Sequence, residues 1–233
     1  MDKVKNIVVF TGAGISAESG IKTFRASDGL WENYRIEDVA TPQAWQKDKA
    51  MVLDFYNQRR AQVLHAKPNE AHKALVELEE KFNVTIVTQN IDNLHERAGS
   101  TTVVHLHGEI FKSRSTANCE LIYPIKGAAL SIGDKCELGS QLRPHIVWFG
   151  EEVPLMDIAF DYTANADIFI VIGTSLLVYP AASLLQVVSS AIPKYIIDPN
   201  IPSLSNVQNI NLIENTASKG VPALVKKLMT EAN

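Results

Sequence analysis

At 233 residues, 46% apolar and 21% charged, the chain is long enough for one large α/β domain and too apolar for disorder. A net charge of −4 without a long basic run argues against nucleic-acid or membrane-surface partners. No apolar stretch reaches the roughly 20 residues of a bilayer span.

Strand-like runs recur at 7–10, 84–88, 103–106, 146–148, 168–172, 194–197 and 209–213. Amphipathic stretches lie between them. Ala71, Ala74, Leu75 and Leu78 have helical spacing within 71–81, and 181–190 and 221–229 read as further helices. Such alternation implies an α/β fold, a Rossmann-like parallel sheet with helices on both faces. Residues 25–65 and 109–145 break the alternation and read as insertions that build a smaller lobe within a single 1–233 domain. A cleft between that lobe and the sheet is the expected ligand site. Cys119 and Cys136 make no disulfide framework, and the start of the chain is unlike a secretion signal. A cytoplasmic location is expected.

The first apolar run leads directly into Gly12-Ala13-Gly14-Ile15-Ser16-Ala17. Gly-x-Gly-x-x-Ala is the spacing of a dinucleotide-binding turn, in which small residues let the backbone approach a pyrophosphate at a helix N-terminus. The run at 84–88 ends in Gln89-Asn90-Ile91-Asp92, and the run at 103–106 leads into His107-Gly108. Polar residues just past the carboxyl ends of parallel strands lie where open α/β sheets bind ligands. Helix capping is the plain alternative for Asn90 and Asp92. His107 is a general-base candidate.

Gly12-Ala13-Gly14-Ile15-Ser16, Phe24-Arg25, Gly29-Leu30-Trp31, Gln89-Asn90-Ile91-Asp92, His107-Gly108 and Gly173-Thr174-Ser175 together resemble the sirtuin family, the NAD-dependent protein deacylases. The motifs follow the family's order over most of the chain. The resemblance implies that Gly12, Ala13 and Gly14 line the NAD pyrophosphate and that Phe24 and Arg25, with Trp31 nearby, lie on a cofactor loop. It places Gln89, Asn90, Ile91 and Asp92 at the nicotinamide and its ribose, with Asn90 and His107 as catalytic residues. Gly173, Thr174, Ser175 and Ala217 fall on the adenosine side. Asp198 or Asn200 contacts the adenine ribose, in a register that stays open. The implied reaction joins the acyl oxygen of an acyl-lysine to C1′ of the NAD ribose as nicotinamide leaves. His107 then deprotonates a ribose hydroxyl, which attacks the resulting imidate, and water releases lysine and O-acyl-ADP-ribose. No protein nucleophile is needed, in keeping with the absence of a Ser or Cys elbow.

On the substrate side, Val147, Phe149 and Gly150 lie in a segment that matches the family's peptide-pairing strand, so acyl-lysine proteins or peptides are the expected partners. Tyr56 and Arg59 sit three apart on a helical stretch, sharing one face. A phenol beside a guanidinium fork makes a carboxylate receptor. The pair, with Ala40 as a small pocket residue, resembles the desuccinylase and demalonylase subgroup. The plain alternative is a surface arginine beside a core-edge tyrosine, and Arg60 next door reads as solvated. Most sirtuins carry a four-cysteine zinc site in the small lobe. Cys119 and Cys136 have no Cys-x-x-Cys partners, so no zinc is expected. An ADP-ribosyltransferase and a catalytically silent NAD-binding regulatory module are the alternatives weighed. The intact Asn90, Asp92 and His107 disfavour the silent module.

Overall fold

Ile7, Val8, Val9 and Phe10 are at most 2% exposed, as a strand covered on both faces must be. They belong to β1 (Asn6–Thr11), the first strand of a computed structural model that describes residues 4–22, 30–31, 34–201 and 207–232. A single helical turn follows, α1 (Gly14–Ala17), and then a two-residue antiparallel pair, β2 (Leu30–Trp31) and β3 (Tyr34–Arg35). Three helices come next: α2 (Ile36–Val39), α3 (Pro42–Lys47) and α4 (Lys49–His65). The Asp48 side chain starts α4 by accepting from the Met51 N–H at 2.9 Å.

The chain then builds the sheet outward from β1. The helix α5 (Glu70–Leu78) begins with a capping box between Asn69 and His72. It leads through β4 (Asn83–Thr88), α6 (Leu94–Ala98) and β5 (Val103–His105). A three-stranded antiparallel sheet follows, made of β6 (Gly108–Ser115), β7 (Ile122–Pro124) and β8 (Leu142–Ile146) in the order β7-β6-β8. The parallel sheet resumes with α7 (Met156–Ala164), β9 (Ile168–Ile172), α8 (Leu184–Val187), β10 (Lys194–Ile197), β11 (Ile210–Ile213) and α9 (Ala217–Glu231).

The six parallel strands lie in the order β5-β4-β1-β9-β10-β11. Counted along the chain this is 3-2-1-4-5-6, the dinucleotide-binding order, with its switch point between β1 and β9. Alternate residues of β1 serve different layers. Ile7 and Val9 pack with Leu75 and Leu78 of α5 and Leu224 and Leu228 of α9. Val8 and Phe10 pack with Ala159 of α7 and Leu184 of α8. A further apolar cluster joins Val52, Phe55 and Val63 of α4 to Ile110 and Ile146 of the antiparallel sheet.

Three expectations change. The run at 146–148 is not a strand of the parallel sheet: β8 ends at Ile146, and its strand partner is the antiparallel β6. A short apolar run does not reveal which sheet it will join. The helix expected at 181–190 is a 3₁₀ turn, Ala181–Ser183, followed by the one-turn α8. The closing helix starts at Ala217, four residues earlier than its apolar spacing suggested, and runs on through Pro222. Its first turn is anchored by Glu18, which accepts from the Ser218 N–H at 2.9 Å and its hydroxyl at 2.6 Å.

Candidate active site

The glycine turn is stitched to the end of β9. Gly12 N–H donates to Ile172 O at 3.0 Å, and Gly14 N–H donates to Gly173 O at 2.8 Å. The backbones pass so close that a Cβ on Gly14 would lie 2.5 Å from Gly173 Cα. One on Gly173, which has φ +62°, would lie 2.5 Å from Ile15 N. These amides are committed to the chain itself, so the turn offers close approach more than donors, and the helix behind it is only one turn long.

The end of β4 crosses this turn. Asn90, 7% exposed, donates from Nδ2 to Gly12 O at 3.1 Å and to Ser16 Oγ at 3.3 Å. The Ser16 hydroxyl donates to Asp92 Oδ2 at 3.1 Å, and Asp92 Oδ1 accepts from Leu94 N–H at 3.0 Å. Asp92 therefore accepts the first N–H of α6 from one residue before its N-cap, Asn93, and lines the cleft as well. Burial raises its carboxyl above the ordinary range, against the pull of those hydrogen bonds. Gln89 is joined to the β9 end through Thr174 Oγ1 at 3.5 Å, while its Nε2 is buried without a hydrogen-bond partner among the described residues.

His107 lies in the turn between β5 and β6. Its Nδ1 is 3.1 Å from Gln89 O, an acceptor, so Nδ1 carries the hydrogen and Nε2 has the free lone pair. Burial holds its pKa below the ordinary imidazole value, partly offset by the Gln89 bond. Gly108, with φ +83°, permits this turn: a Cβ there would sit 2.1 Å from His145 O. The neighbouring His105 has no free nitrogen. Its Nδ1 meets Asn90 O at 2.9 Å and its Nε2 meets Glu96 Oε1 at 2.6 Å. Burial opposes its protonation, but the Glu96 carboxylate prevails and raises its pKa.

The segment after β8 closes the opposite wall. Val147 N–H donates to His107 O and Phe149 N–H donates to Ala40 O, each at 3.0 Å. Tyr56 and Arg59 of α4 are 0% and 4% exposed, so neither lies on an open surface. Arg60 is 0% exposed, contrary to the solvated position expected for it. Its guanidinium donates to Ile110 O, Asn57 Oδ1 and Ala128 O at 2.6–2.7 Å, and burial lowers its pKa to about 10. It is tied to the antiparallel sheet, while its neighbour Arg59 faces the cleft.

One cavity of about 240 Å³ is shared by these groups. Its lining brings together Ala13, Gln89, Asn90, Ile91, Asp92 and His107 with Ala40, Tyr56, Arg59, Val147, Phe149 and Gly150. Gly12, Gly14, Gly173, Thr174, Ser175, Asp198, Asn200 and Ala217 are not in its lining. Asp198 is buried and accepts from the N–H of the exposed Asn200 at 2.9 Å, and Ala217 is the buried first residue of α9. Phe24 and Arg25 lie outside the described residues, and only the backbone of Trp31 is described. Ser16, Trp148 and the stretch Val178–Pro180 line the cavity too, although sequence reasoning assigned them no part. Ser16 and Trp148 stand inside motifs already noted, which was the available signal.

Cys119 is exposed and Cys136 buried, and both are free thiols. Cys136 Sγ lies 3.3 Å from Ser115 Oγ and 3.1 Å from Ser140 Oγ, and the two hydroxyls are 2.8 Å apart. Among the described residues no group of three or more His, Cys, Asp or Glu could hold a metal ion. No helix among them is long and apolar enough to cross a membrane.

Residues 12–180 match the model of the Sir2 family. The chain belongs to the Sir2 family. It is 52% identical to an NAD-dependent protein deacylase of Bacteroides thetaiotaomicron, over 97% of this chain and 99% of that one. It is 50% identical to an NAD-dependent protein deacylase of Helicobacter pylori, over 99% and 100% of the two chains. A solved complex of a Sir2 homolog with NAD superposes with a TM-score of 0.89 at 40% identity, over 99% of this chain and 92% of that one. The residues present fit such a dinucleotide. The strand order supplies the crevice, and the buried Gln89 amide nitrogen, which lines the cavity, needs an acceptor.

Proposed function

We propose that this Sir2 protein removes acyl groups from protein lysines with consumption of NAD, and that it prefers succinyl and malonyl groups while retaining some activity on acetyl. One water is consumed, and the products are nicotinamide, free lysine and O-acyl-ADP-ribose. The observation that carries this reading is that the His107 imidazole, with Nδ1 on Gln89 O, and the buried Tyr56–Arg59 pair line one shared cavity.

In this reading Gly12, Ala13 and Gly14 hold the NAD pyrophosphate and Gln89, Asn90, Ile91 and Asp92 the nicotinamide end. Gly173, Thr174, Ser175 and Ala217 take the adenosine side, with Asp198 or Asn200 at its ribose. Bound NAD supplies a ribose carbon bearing a good leaving group. Asn90 is held by Gly12 O and Ser16, so its side chain orients groups without rearranging. His107 Nε2 accepts a proton from a ribose hydroxyl, its other nitrogen kept protonated by Gln89 O. The amides of Val147 and Phe149 are already engaged, so a substrate strand laid along this segment is held through its carbonyl groups. Arg59 receives the acyl carboxylate, and the small Ala40 leaves room for the longer chain.

Matched acetyl-lysine and succinyl-lysine peptides, turned over by wild type and Arg59→Met, test the reading. Faster succinyl removal that collapses at least about tenfold in the variant, with deacetylation retained, supports it. Equal rates unaffected by the substitution overturn the acyl preference. Nicotinamide release with neither peptide deacylated moves the assignment to ADP-ribosyl transfer.

A further inference from the structure

Trp148 is 2% exposed, and its Nε1–H donates to Tyr56 Oη at 3.0 Å. Its ring is clamped. The Arg143 guanidinium carbon sits 3.3 Å from the indole centroid, and the Trp45 ring packs against it at 5.8 Å, tilted by 41°. Arg143 is held in turn by both oxygens of Glu151, at 2.6 and 3.0 Å, and it donates to Ile146 O at 2.9 Å. Glu151 also accepts the Trp148 backbone N–H at 2.8 Å and pairs with Arg114 at 3.1 Å. Ring faces and backbone are thus restrained together, and the indole N–H has one direction available.

An indole nitrogen only donates, whereas a phenol can donate or accept. Against Trp148, Tyr56 Oη must accept, so its own hydrogen is turned toward another acceptor around the oxygen. We infer that Trp148 is a specificity-determining positioning residue: its N–H orients the Tyr56 hydroxyl as a donor to the carboxylate of an acidic acyl-lysine. A carboxylate only accepts, so it gains from a phenol already turned to donate. An acetyl group has no oxygen that reaches this far, so it gains nothing. The inference rests on the acidic-acyl preference proposed above.

The test measures KM and kcat for succinyl-lysine and acetyl-lysine peptides. It uses wild type, Trp148→Phe, Tyr56→Phe and the double variant, with Arg59→Met alongside. Trp148→Phe keeps an aromatic ring and loses the N–H. It is expected to raise the succinyl KM about tenfold, with kcat and both acetyl constants within about twofold. In the Tyr56→Phe background it is expected to add nothing, because the group it orients is gone. Arg143→Lys loosens the clamp while keeping the charge, and is expected to raise the succinyl KM about threefold in the same selective way. It carries the test if Trp148→Phe is poorly folded. Equal losses on both acyl groups, additive effects in the double variant, or wild-type constants in Trp148→Phe overturn the inference. Each of those results leaves the acidic-acyl preference standing as long as Arg59→Met still abolishes it. A wild type indifferent to the acyl group and to Arg59→Met overturns the preference itself, and the inference with it.

Discussion

His107 Nδ1 sits 3.1 Å from the backbone carbonyl of Gln89, and this contact decides which ring nitrogen can act as a base. A backbone carbonyl cannot titrate, so the tautomer is the same at every pH where the ring is neutral. Burial lowers the pKa of His107 below the ordinary 6.5, despite that bond. The imidazole proposed as the base is therefore mostly neutral above pH 6.5. The acid limb of the expected kcat/KM profile is displaced to below pH 6.5, falling as the ring protonates. His107→Ala is expected to lower kcat about 10²–10⁴-fold with little change in the melting temperature. An acid limb that survives in that variant would assign the titration to another group.

Gly173→Ala is expected to weaken NAD binding and stability together. The new Cβ would meet Ile15 N at 2.5 Å and Gly14 Cα at 2.6 Å, backbone that cannot move without parting β1 from β9. Gly20→Ala is the control: its φ is also positive, at +86°, but nothing lies within 4 Å of the added Cβ. Strain alone costs about 1–2 kcal/mol, and overpacking adds about 1–3. Thermal melts and calorimetric NAD titrations are expected to show a small stability loss with unchanged affinity for Gly20→Ala. For Gly173→Ala a larger stability loss with NAD affinity down more than about tenfold is expected. Matching behaviour of the two variants would remove the close approach from the account.

A buried histidine pair sets the expected acid limit of stability. His72 and His95 are both 0% exposed, with ring centroids 4.9 Å apart. Burial lowers His72 from 6.5 to about 4 and pushes His95 well below 6.5. Both fold as neutral rings, so their contribution is complete above the unfolded value and is lost as pH falls toward the folded one. For His72 that window runs from 6.5 to about 4, a loss of up to about 3 kcal/mol. His72→Gln keeps a side-chain acceptor for the Asn69 N–H in the capping box and removes the titration. Urea unfolding at pH 8 and pH 5 is expected to show a smaller acid loss in the variant. An equal loss would place the acid sensitivity elsewhere, with His95 the first group to examine.

Much of the site was readable as pattern because it sits at strand ends. Strands covered on both faces must be continuous apolar runs, so Ile7–Phe10 and Ile168–Ile172 announced themselves, and the polar residues just beyond them marked the crevice. The antiparallel β6 and β7 gave no such signal. Their buried positions include Ser113 and Ser115, which satisfy themselves by hydrogen bonds and leave no apolar period to detect.

The neighbours Arg59 and Arg60 mark where sequence reading stops. By itself the sequence determined the parallel sheet, the glycine turn, the polar residues at its strand ends, and membership of the Sir2 family. It could also place Tyr56 and Arg59 on one helix face, because that follows from helical spacing alone. Only the tertiary structure decided that Arg60 is not solvated, since its acceptors, Ile110 O and Ala128 O, come from 50 and 68 residues away. The same holds for Trp148 Nε1 and Tyr56 Oη, 92 residues apart in the chain and 3.0 Å apart in the fold. Local periodicity carries the pattern of burial within an element, whereas the partner of a buried polar atom depends on how distant elements pack.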